Sequence, residues 1–268
     1  LINTDIHRYL DVTSEEVMDA VNRVLGGNRV RISVLPEKRL EVSGGVVDRT
    51  VMPSPTVGRP YSPPVPGRHR LPNGLEILHV NKPGVPLVAF GFVIGAGATT
   101  DSPDKPGLAH LTASMLTEGT TNRSSRQVAE EMEFLGAQLG SSATRENVLI
   151  TTETLTRHWA TALDIAADVV KNASFPENEL VRVRKERLAD LSRISDDPSA
   201  IAMRVSRALV YGPDSRYGHP IIGTETTVSG FTRDEVISQF KQHYGPEDTT
   251  LLVVGDVSHD DVVHKAEV

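Results

Sequence analysis

The spacing of apolar residues predicts an α+β fold, a mainly antiparallel sheet with helices packed on one face. Three observations carry this prediction. Asn147 to Leu155 alternates like a half-buried strand, with Val148, Ile150, Thr152 and Thr154 on one side. Trp159 to Val170 and the longer, more charged Glu177 to Ile194 repeat their apolar residues at helical intervals. Thr249 to Val254 reads as a short strand that stops at Gly255-Asp256.

Earlier in the chain, Thr13 and Glu16 have capping-box spacing, and Val17, Val21 and Leu25 follow as a helical stripe until Gly26-Gly27. Arg29 to Leu35 alternates as a strand and Pro36 ends it. One helix and one strand cannot bury a core, so residues 1–36 are expected to complete a preceding domain. Residues 37–70 read as a linker, because Pro53, Pro55, Pro60, Pro63, Pro64 and Pro66 cluster with Gly58 and Gly67. A domain over 71–257 then begins at the turn signal Pro72-Asn73-Gly74. Its strand candidates are Leu75–Val80 and Leu87–Ile94. Gly107–Leu116, Ser125–Leu135, Ala200–Tyr211 and Arg233–Tyr244 are its further helices. Residues 258–268 look like the start of a following domain.

Composition narrows the function. With 268 residues, 38% hydrophobic and 24% charged, the chain can bury a substantial core. No apolar run approaches the ~20 residues of a membrane helix. A formal net charge of -7 argues against a nucleic-acid or anionic-membrane partner, since both favour basic surfaces. Arg182, Arg184, Lys185 and Arg187 crowd one stretch, which reads as a solvated helix face. There is no cysteine, which removes thiolate metal sites and thiol nucleophiles. The chain starts at Leu1 without a targeting segment and reads as a fragment, so periplasm and cytoplasm both stay open.

Ordered short motifs run through the main domain: Leu71-Pro72-Asn73-Gly74-Leu75, Gly95-Ala96-Gly97, Gly107-Leu108-Ala109-His110-Leu111, Met115-Leu116-Thr117-Glu118-Gly119-Thr120, Phe175-Pro176-Glu177, Asp196-Asp197-Pro198, Gly218-His219-Pro220, Gly223-Thr224, His243-Tyr244-Gly245-Pro246 and Val253-Val254-Gly255-Asp256. In order and spacing this set resembles the pitrilysin/insulinase-type metallopeptidases, relatives of mitochondrial processing peptidase. Residues 13–36 resemble the last helix and strand of a preceding homologous domain.

Active members of that family carry the inverted zinc motif H-x-x-E-H on a helix. Histidines four residues apart share one helical face and bind one zinc, while the glutamate between them serves as general base toward the metal-bound water. A glutamate on a later long helix is the third ligand. Here His110 occupies the first histidine position, Ala113 stands at the base and Ser114 at the second histidine. Counting back from Asp196-Asp197-Pro198 puts Asp190 at the third ligand, with Glu186 as a nearby rival. The resemblance thus implies no catalytic or metal-binding residue in this domain, with His110 an ordinary histidine hydrogen-bonded to Asp190. His219 reads as a loop residue that shapes a turn, and His79, His158 and His243 as surface or packing residues. Gly95-x-Gly97 lacks the rest of a dinucleotide fingerprint and reads as a strand-end turn.

The resemblance further implies a non-catalytic half that forms a chamber wall and holds extended peptide, opposite a homologous catalytic half that carries the zinc. That half would lie on the same chain or on a heterodimer partner. An arginine–tyrosine pair that polarises the substrate carbonyl would lie in the next domain. Two other readings stand beside this one: a structural or assembly protein without substrate contact, and an active zinc endopeptidase with non-standard ligands.

Overall fold

The computed structural model describes residues 10–27, 30, 32–33, 58, 62–213 and 215–267. The chain separates into two units, Leu1–Pro60 and Tyr61–Val268. In the first, helix α1 spans Ser14–Leu25. Its capping box forms as the spacing predicts: Glu16 donates its backbone N–H to Thr13 Oγ1 at 3.2 Å, and the Glu16 carboxylate accepts the Thr13 N–H at 2.8 Å. No residue of α1 is buried, and Val17, Val21 and Leu25 of its apolar stripe are exposed. The strand expected over Arg29–Leu35 lies largely outside the described residues.

The second unit is built on six strands: β1 Gly67–Arg70, β2 Glu76–Asn81, β3 Leu87–Ile94, β4 Gly140–Ala143, β5 Val148–Leu155 and β6 Thr249–Gly255. Their order is β1-β2-β6-β3-β5-β4, antiparallel throughout except for the parallel pair β2–β6. The helices are α2 Leu108–Met115, α3 Ser125–Phe134, α4 Trp159–Asn172, α5 Glu177–Ser195, α6 Pro198–Tyr211, α7 Glu225–Gly230, α8 Arg233–His243 and α9 His259–Glu267.

The alternation of β5 determines which face is covered. Val148, Ile150, Thr152 and Thr154 are buried, together with Val88, Phe90, Phe92 and Ile94 of β3 and Leu251 and Val253 of β6. Their neighbours Leu252 and Val254 lie exposed on the opposite face. This is the α+β sheet with helices on one face that the sequence predicts.

Four elements are absent from the sequence reading. Strand β1 falls inside the Pro-rich stretch and pairs Gly67–Arg70 with Glu76–His79. Strand β4 and helix α7 are short. Helix α9, read as the start of a following domain, packs on this sheet: Val262 is fully buried and Lys265 pairs with Asp164 of α4 at 2.6 Å.

Candidate functional site

Backbone geometry at two glycines sets the position of α2. Gly107 (φ 99°) and Gly223 (φ 85°) adopt left-handed conformations, and a Cβ on Gly107 would lie 2.5 Å from the Gly223 Cα. Only glycine permits both the torsion and the approach. The helix start lacks a side-chain cap of its own. Instead the buried Asp101 carboxylate accepts the N–H groups of Gly107 and Ala109 at 2.8 and 2.7 Å. Burial pushes the Asp101 carboxyl up to about 6 against those two hydrogen bonds.

The far end of α2 is tied to the sheet edge. Ser141 of β4 donates its hydroxyl to the Ala113 carbonyl at 2.7 Å. Among the described residues β4 pairs only with β5, which leaves its other side a free edge beside the motif helix.

His110 and Ser114 share one face of α2, as their spacing requires. Ala113 is fully buried among apolar residues. The Ser114 hydroxyl bonds back to the His110 carbonyl at 3.0 Å, the usual option for a serine inside a helix. Burial, with a smaller contribution from the Arg187 charge, lowers the His110 imidazole to about 4, so it is neutral at physiological pH. Its Nδ1 is enclosed with no hydrogen-bond partner.

Arg187 of α5 faces this helix. Its Nη2 donates to Ser114 Oγ at 3.2 Å and its Nη1 to Asp190 Oδ2 at 3.4 Å. The other oxygen of Asp190 accepts from Arg193 at 2.8 Å. Both carboxylate oxygens are therefore engaged by arginines. The hydrogen bond expected between His110 and Asp190 does not form. Glu186, the rival third-ligand position, is exposed and bonds Arg182 at 2.8 Å. The basic stretch is also not one solvated face. Arg182 and Lys185 are exposed, whereas Arg184 reaches the Phe231 carbonyl and Arg187 turns inward.

These residues do not fit a catalytic zinc. Such a site takes about three protein ligands and an open water position. The positions that the sequence resemblance assigns to ligands and base hold a neutral imidazole, a methyl group, a hydroxyl bonded to a guanidinium and a doubly engaged carboxylate. Among the described residues no three His, Cys, Asp or Glu side chains gather in a way that could hold a metal ion. Away from α2, the ring of His259 lies 6.4 Å from that of His69 between centroids. His219 is buried in its loop with both ring nitrogens unpartnered, and its pKa is lowered by burial. His79 is buried on β2, 5.5 Å from the His259 ring between centroids.

Sheet, motif helix and facing long helix together define an α+β body of the metallopeptidase kind. The profile described as Insulinase (Peptidase family M16) matches residues 76–224, and that of the Peptidase M16 inactive domain matches residues 230–267. The chain belongs to the insulinase family, peptidase family M16. It is 31% identical over 198 residues to an uncharacterized zinc protease of Rickettsia bellii, covering 74% of this chain and 48% of that protein. It is 27% identical over 199 residues to a probable mitochondrial-processing peptidase subunit beta of Arabidopsis thaliana, covering 74% and 37%. The crystal structure of a peptidase M16 inactive domain from Pseudomonas fluorescens superposes with a TM-score of 0.72 at 24% identity, covering 75% and 49%. The chain spans about half the length of the zinc protease relatives it matches.

Proposed function

We propose that this chain supplies a non-catalytic half of a zinc peptidase, a chamber wall that holds extended peptide opposite a homologous catalytic half where the zinc resides. The observation that carries the reading is the guanidinium of Arg187 lodged between Ser114 and Asp190, where a metal would need ligands. Peptide would add to the free edge of β4, where main-chain bonds give affinity with little demand on sequence. A groove of about 330 Å³ adjoins the start of that edge, lined by Val128, Met132, Ala137 and Leu139 with Glu118 and Glu133. It offers room for one side chain of such a peptide.

The partner half finds support in apolar surface left uncovered. Ile201, Met203, Val205, Leu209 and Val210 of α6 are all exposed, and α6 has no buried residue. A face of that kind is typical of an interaction surface. In the same reading residues 1–36 close a preceding homologous domain, which would cover the bare stripe of α1.

Two measurements on the purified chain test the proposal. Elemental analysis after zinc equilibration, with a chelator control, should find zinc far below one per chain. Hydrogen exchange with an extended peptide should slow the amides of Gly140–Ala143. One tightly held zinc per chain with chelator-sensitive cleavage would sink the non-catalytic assignment. Unchanged β4 exchange at saturating peptide would favour the purely structural role.

A further inference from the structure

The residues that replace the metal ligands do more than fail to bind zinc. Two of the three matched ligand positions bond one side chain: Arg187 reaches Ser114 at the second position and Asp190 at the third, while His110 at the first shares the α2 face with Ser114. The Arg187 pairing is incomplete: the Asp190 contact is long at 3.4 Å, and the arginine Nε is enclosed without an acceptor. Packing therefore places this guanidinium as much as ion pairing does. Val183 and Leu191, four residues either side on α5, are buried, so helical spacing holds Arg187 on the face toward α2. Asp190, one methylene shorter than glutamate, bonds Arg193 instead of reaching α2.

We propose that Arg187 is the resident cation of the former metal site: its guanidinium bridges α2 and α5 in place of the divalent ion and keeps such an ion out. This inference rests on the alignment of His110, Ser114 and Asp190 with the family's ligand positions. A fixed positive charge within hydrogen-bond reach of two of those positions repels a second cation and occupies the donors that would bind it. Restoring ligands is then insufficient, and Arg187 must go as well. The position works as a one-residue lock on metal affinity.

The test compares three full-length chains: wild type, Ser114→His with Asp190→Glu, and the same pair with Arg187→Val. Ala113 is left unchanged, because a general base is not a ligand and a carboxylate there would be buried. Zinc per chain is measured after equilibration and a brief chelator wash, with circular dichroism melts to verify folding. The expected result is background zinc in the first two and close to one zinc in the third. One zinc in the ligand-restored chain with Arg187 present overturns the lock, yet leaves the non-catalytic reading of wild type intact. One zinc in wild type overturns that reading itself. Background zinc in a folded Arg187→Val chain also overturns the lock. Should that variant misfold, Arg187→Met in the same ligand-restored chain decides by the same zinc measurement: close to one zinc per chain is expected, and background zinc in the folded variant overturns the lock.

Discussion

Two charged clusters on neighbouring helices are built to very different standards. At Asp168 of α4 the carboxylate accepts from Thr120 at 2.7 Å, Asn122 at 2.6 Å, Arg123 at 2.7 Å and Asn172 at 2.7 Å. At Arg187 of α5 the bonds are 3.2 and 3.4 Å, with Nε and the neighbouring His110 Nδ1 left over. A buried ion is stable only when its hydrogen-bonding capacity is filled. The first cluster meets that condition and staples the loop after α2 to α4. The second does not: its two bonds are long and two enclosed nitrogens stay unfilled. Completeness separates the two clusters.

The largest effect should come from breaking the complete cluster. Asp168→Ala would leave two amides, a hydroxyl and the Arg123 guanidinium without their acceptor, although Arg123 keeps Glu131 at 2.9 Å. The expected loss is about 3–5 kcal/mol, or roughly 6–20 °C in melting temperature for a body of this size. Burial alone would raise the Asp168 pKa; the bonds from Asn172, Thr120, Asn122 and Arg123 outweigh it and hold the carboxyl at about 2. The folded pKa is thus below the ordinary 3.8, so this stabilisation is present above about pH 4 and lost as pH falls toward 2. Denaturant melts at pH 7 and pH 3 measure both effects. A loss smaller than that from removing Arg187 would invert the comparison.

Asp101 sharpens the contrast with the opposite sign. It accepts two backbone N–H groups and no cation, and burial raises its carboxyl to about 6. A folded pKa above the unfolded 3.8 gives stability that is full below about pH 4 and lost as pH rises through 6. The expected decline across that window is on the order of 1–3 kcal/mol. Asp101→Asn should flatten the melting temperature between pH 4 and 7, at a lower overall level. A variant with the wild-type slope would assign the titration elsewhere.

Much of the scaffold was legible because its elements obey strong periodicities. β3 has the bounds expected, Leu87–Ile94, and the alternation of β5 sorts its side chains correctly. The missed elements lack such signals. β1 is Gly-Arg-His-Arg after a run of prolines, and β4 is Gly-Ser-Ser-Ala, with no β-branched residue. Both gain their order from a neighbouring strand and not from propensity. Within the site, the shared face of His110 and Ser114 follows from helical spacing. Arg187 did not stand out, because arginine density suggests solvent. Yet its offset of four residues from Val183 and Leu191 marked it as inward-facing. Helical phase, and not composition, decides which way such an arginine points.

The smallest effect belongs to the loose cluster. Ser114→Ala removes a hydroxyl that donates to its own helix at 3.0 Å and accepts one long bond from Arg187. The back-bond competes with the helix and contributes little. The arginine bond is charge-assisted but poorly formed, so the variant should lose less than about 1 kcal/mol, a fall of at most roughly 4 °C. His110 keeps its packing and its unpartnered nitrogen, and its titration should stay where it is. A loss approaching that of Asp168→Ala would mean that Ser114 holds α2 to α5. The Arg187 cluster would then be as much a staple of the scaffold as the Asp168 cluster, and the contrast between them would fail.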